Sequence, residues 1–152
     1  MAPIEIPGPE GLRQHQGKEL GVSEWCDMTQ EAVDAFADAT GDHQWIHVDV
    51  ERAAASPMGG TIAHGLFVLS LGPRFNEEIF RVTGFDRVLN YGYDKVRFPA
   101  PTPVGSRLRM RATLADVIEV PGGLRTVVTQ TFEVEGGEKP VCVAAAVSQW
   151  VL

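Results

Sequence analysis

Between Val88 and Leu152 the chain carries four β-branched, partly alternating segments, Val88 to Phe98, Arg107 to Val120, Leu124 to Val134 and Pro140 to Leu152. They are separated by PAPTPVG, PGG and EGGEKP, whose prolines and glycines mark turns. Strands joined so closely predict an antiparallel meander, and a meander has a face to cover. The segment apolar enough to cover it runs from Thr61 to Phe80, where Ile62, Leu66, Leu69 and Leu71 fall on overlapping helical faces with Phe67 and Val68 between them. A helix apolar nearly all round has to be buried. Pro73 is expected to kink or split it, because the ring removes a backbone hydrogen bond and crowds the preceding turn.

The first half is organised around shorter elements. A first strand is expected near Leu20 to Asp27. Thr29 then caps a helix whose apolar positions Val33, Phe36 and Ala37 recur at i, i+3 and i+4, and Gly41 ends it. A second short helix should start at Asp49, with Glu51 in its first turn, and finish before Pro57. Pro3, Pro7, Gly8, Pro9 and Gly11 make residues 1–18 an expected flexible or extended arm, which leaves 19–152 as a single domain. At 152 residues and 44% hydrophobic, the chain is long enough for one sizeable core. The predicted class is α+β, an antiparallel sheet wrapped around a central helix.

Net charge is −7, which argues against a nucleic-acid binder held by phosphate contacts. Any polyphosphate ligand would need a local basic patch, for which Lys95, Arg97, Arg107, Arg109 and Arg111 are candidates. Cys26 and Cys142 lie far apart without CxxC spacing, so neither a zinc site nor a disulfide framework is expected. The N-terminus lacks the basic start and apolar run of a secretory signal. No apolar stretch approaches the ~18 residues that cross a bilayer. No membrane partner is expected, and cytoplasmic residence is the simplest expectation.

The chemistry concentrates in FADATGDHQWIHVDVERA, Phe36 to Ala53, which sets Asp42 and His47 five residues apart beyond a helix stop. Residues so placed can share one water. Taken alone, Asp42 after Gly41 also suits an ordinary turn, and a single His is more often structural than catalytic. Downstream, GGTIAHGLFVLSL, Gly59 to Leu71, reads as a glycine-led entry to a helix, which offers backbone N–H groups to an anion. His64 there suits a lining or capping role, whereas Gly65 lacks a Cβ and lets a carbonyl approach its N–H. His43 and His47 are four apart, but HQWIH lacks the glutamate of HExxH, so no metal site is expected. A Cys-His nucleophile is weaker still.

Phe36, Gly41, Asp42, His47 and Ala53 together resemble the hydratase motif of the MaoC-like dehydratases, the (R)-specific enoyl-CoA hydratases, and the chain looks like the subgroup that includes the nodulation protein N relatives. The likeness extends through Ala63 to Gly65 and NYGYDKVRFPAPTPVGSRL, Asn90 to Leu108, and so covers about Glu24 to Trp150. One departure is visible, because Gln44 and Trp45 stand where the family usually has Asn-Pro. The resemblance implies a hot-dog fold and a homodimer. It further implies reversible addition of water to a trans-2-enoyl thioester of CoA or of an acyl carrier protein, in fatty acid metabolism, with the thioester as substrate and no cofactor. By the same likeness Asp42 and His47 hold the water, Gly65 supplies the oxyanion contact, and Asn90, Tyr91, Arg97 and Phe98 line the groove. The division of acid and base work between Asp42 and His47 stays open. A hot-dog thioesterase and a non-catalytic acyl-binding or scaffold subunit are the rival readings.

Overall fold

Alternation in the C-terminal half becomes a sheet with one buried face. The computed structural model describes residues 2–152. The strands are β1 (Ile4–Pro7), β2 (Lys18–Val22), β3 (Cys26–Asp27), β4 (Phe80–Thr83), β5 (Arg87–Arg97), β6 (Arg107–Val120), β7 (Gly123–Val134) and β8 (Cys142–Val151). The helices are α1 (Gly8–His15), α2 (Gln30–Thr40), α3 (Trp45–Val48), α4 (Val50–Ala54), α5 (Gly65–Ser70) and α6 (Gly72–Ile79). The main sheet is antiparallel in the order β2-β6-β7-β8-β5, with β3 also on β6. Along β7 every second residue is buried, namely Leu124, Thr126, Val128, Gln130 and Phe132. Opposite on β6, Leu108, Met110, Ala112 and Leu114 do the same.

The helical layer packs on that inner face. Phe75 of α6 is fully buried, with its ring centroid 6.2 Å from that of Phe132. Burying a side chain of this size contributes roughly 1.5–3 kcal/mol. The expected break at Pro73 is present, because α5 ends and α6 begins at Leu71, with Pro73 in the first turn of α6 where no N–H is needed. The hot-dog arrangement, a curved antiparallel sheet against central helices, follows from these layers.

Four expectations need correction. β6, β7 and β8 form a meander, but β5 lies beyond β8 at the far edge instead of beside β6. The residues that follow β5 carry the chain back over the helices, where Ala63 N–H donates to the Thr102 carbonyl. The central helix starts at Gly65, since Ile62 is in an extended bridge with Pro103. Nor is it buried all round, for Leu66 is 64% exposed. Finally, the arm expected over residues 1–18 is ordered. β1 pairs in parallel with β4 and α1 follows it, burying Ile6 and Leu12. Gly11 allows this tight return, because a Cβ there would lie 2.8 Å from Cδ of Pro7.

Candidate active site

Gly41 ends α2 in the left-handed conformation at φ 80°, and the chain turns sharply into the single turn of α3. That turn carries Asp42 on one side and His47 on the other. Gln44 N–H reaches the Asp42 carboxylate at 3.4 Å, and the guanidinium of Arg52 covers the Trp45 ring at 4.1 Å. Gln44 and Trp45 thus support the turn without proline. Ala53 is fully buried in α4.

Side-chain contacts fix the imidazole. His47 Nδ1–H donates to the Ile62 carbonyl at 2.6 Å, which places its proton on Nδ1 and leaves the Nε2 lone pair for chemistry. Ile62 N–H in turn donates to the Ile46 carbonyl at 3.0 Å. Gln30 at the start of α2 donates to the His47 carbonyl at 2.7 Å and accepts from the Thr61 hydroxyl at 2.6 Å. Three separate segments are tied together at His47.

Asp42 and His47 do meet, and His64 joins them. One nitrogen or carboxylate oxygen from each of Asp42, His47 and His64 lies within 4.8 Å of the others. Two hydrogen bonds of about 2.8 Å span that gap through one water. The imidazoles of His47 and His64 stack at 3.8 Å and 23°, while Phe36 packs on His64 at 4.8 Å. His64 Nε2–H donates to the Asp42 carbonyl at 3.0 Å, leaving Nδ1 buried without a protein partner. The sequence marked His64 as a lining or capping residue and did not mark Gln30 at all. An HG pair before an apolar helix was the one signal for the former.

Three ligand-type residues raise the question of a cation. Each imidazole keeps one nitrogen free, so the three groups could meet a shared water or supply three ligands, and a tetrahedral metal would need a fourth from outside them. His43 takes no part, since it points outward to Asp38 at 2.9 Å, whose carboxylate raises its pKa. Burial pushes the Cys142 thiol up to about 11, so it stays protonated and is no nucleophile.

Gly65 opens α5, so its N–H has no acceptor within the helix. His47, Gly65, Leu66 and Phe98 share one cleft of about 370 Å³. A Cβ on Gly65 would lie 2.9 Å from the Phe98 ring, so the glycine makes room for that ring at the mouth. Asn90 and Tyr91 are not there. They line a second cavity, beneath α6. The basic patch is also thinner than expected, because Arg107, Arg109 and Arg111 are paired with Glu135, Glu133 and Glu19.

A MaoC like domain matches residues 12–136. The chain belongs to the MaoC-like dehydratase family. Among MaoC-like relatives it is 52% identical over 136 residues to 3-hydroxyacyl-thioester dehydratase Z of Mycobacterium tuberculosis, covering 89% of this chain and 90% of that protein. It is 44% identical over 137 residues to nodulation protein N of Rhizobium leguminosarum bv. viciae, covering 84% and 81%. Its fold is like that of an (R)-hydratase from Pseudomonas aeruginosa, with TM-score 0.73 at 20% identity, covering 90% of this chain and 81% of that one. No helix among the described residues is long and apolar enough to cross a membrane.

Proposed function

We propose that the cleft at His47 and Gly65, with Asp42 close to His47, interconverts trans-2-enoyl and (R)-3-hydroxyacyl thioesters by adding or removing water. The observation that carries this reading is the Asp42–His47 pair, spaced for one water, with the free Nε2 of His47 set by the Ile62 carbonyl. In the hydration direction the water oxygen bonds to C3 while the pair accepts one of its protons. The electrons of the double bond move toward the thioester, and a proton returns from the pair to C2. Charge that develops on the thioester oxygen meets the Gly65 N–H, a contact worth about 3 kcal/mol in comparable sites. Dehydration is the same path reversed. CoA or carrier-protein esters are the substrate class, and Arg97, at the end of β5 beside Phe98, is the basic side chain for the carrier's phosphate.

The test is a paired assay on enoyl-CoA esters of several lengths. Loss of the conjugated-thioester absorbance without thiol release is the expected result. Thiol release instead would identify a thioesterase, and binding without either signal a scaffold subunit.

A homodimer is part of the proposal. β5 is an edge strand with Val88, Leu89, Tyr91 and Tyr93 all exposed, and an open apolar edge favours a second copy. Sedimentation should show a dimer at micromolar concentration, and a monomer throughout that range would overturn this point.

A further inference from the structure

The cavity beneath α6 has a polar floor that the reaction does not use. Two adjoining spaces of about 220 and 120 Å³ share Pro73, Asn76, Asn90, Ala146 and Ser148. They exist because the inward row of β8 is small, so the sheet falls away from the helix there. Gln130 faces the same space from β7, only 2% exposed. Ala112 and Ala144 flank it on the neighbouring strands, and its amide lies against Cα of Gly72, where a Cβ would be 2.9 Å from Oε1. Both Gln130 Oε1 and Asn76 Oδ1 are buried with no hydrogen-bond partner in the protein.

A buried amide oxygen without a partner is costly, and of the two polar residues in the inward row of β7 Thr126 accepts from Trp150 Nε1 whereas the Gln130 oxygen is unpaired. A plain alkyl chain entering here would displace any water and leave both amides unpaired. A hydroxyl both donates and accepts, so it satisfies either orientation of each amide. The cavity also lies within reach of the cleft. Pro73 and Asn76 follow Gly65 by roughly 12–16 Å along α5 and α6 at 1.5 Å per residue, and β5 runs beside both, with Phe98 just beyond its end at Gly65 and Asn90 at the far site.

We infer that this cavity receives the distal part of the acyl group and selects chains that carry a hydroxyl there, with Gln130 and Asn76 as specificity-determining residues. The inference rests on the thioester reading above. Its test uses saturated acyl-CoA esters, which have no double bond to hydrate, each paired with its terminally hydroxylated counterpart over a series of lengths. Titration calorimetry on the whole protein should show the hydroxylated ester binding about tenfold tighter or more at the length that reaches Gln130. Gln130→Met and Asn76→Leu should each bring that ratio toward one. Gln130→Met removes an unpaired buried amide and is expected to fold at least as well as the parent. Equal binding of both esters at every length would overturn the inference, as would a preference that survives in both variants. If short enoyl-CoA is still hydrated in that case, the reading of the catalytic cleft stands and only the selectivity fails. If no ester binds at all, both fail together.

Discussion

Replacing Asp42 by Asn, or His47 by Asn, is expected to lower hydration of an enoyl thioester by about 10²- to 10⁴-fold, the range of a positioned acid or base. The choice of Asn at position 47 follows from the contacts. Its amide N–H can occupy the place of the imidazole Nδ1–H and keep the bond to the Ile62 carbonyl, while the Nε2 position is deleted. Asp42 is 53% exposed, so its replacement should barely change the melting temperature. Near-normal turnover in either variant would remove the pair from the mechanism. A loss of activity matched by a loss of folding would instead mean that the turn, not the chemistry, had been damaged.

Gly65→Val should reduce turnover at least tenfold with little change in thermal stability. Gly65 has no positive φ, so the backbone accepts a side chain, and helix propensity even favours one. What resists is space. The first added carbon already lies 2.9 Å from the Phe98 ring, and Phe98 is exposed and free to swing outward across the cleft mouth. Two reasons for the glycine can be separated by the double variant Gly65→Ala with Phe98→Ala. Recovery of activity there would show that the glycine serves only the ring. Continued loss would show that the thioester itself needs the bare N–H.

Local signals carried well and distant ones did not. The span of β6 and the cap at Thr29 were legible because alternation, turn residues and capping oxygens act over a few neighbours. The position of β5 was not, since its partner β8 is chosen by a crossover that no short window encodes. Asp42, His47 and Gly65 were recognisable from spacing and resemblance, and they do converge on one region. Gln30 was hidden, and the HG pair alone pointed to His64, because their contacts to residues 42 and 47 arise from folding three segments onto each other. Likeness in sequence put Asn90 in the ligand groove, and β5 carries it to the cavity beneath α6, outside the cleft that His47 lines. The Pro and Gly run at the N-terminus concealed β1 and α1 because each is too short to show a period.

The pairing of Ile4 with Phe80, and of the residues after each, sets a schedule for the nascent chain. Ile6 leaves the ribosome well before its partner strand, which follows more than seventy residues later in the register. At ordinary elongation rates of about 5–20 residues per second that is a wait of several seconds with apolar side chains uncovered. β1 and β4 form a two-stranded sheet of their own, so the N-terminal element docks only once Phe80 to Thr83 have been made, and not as it is itself synthesised.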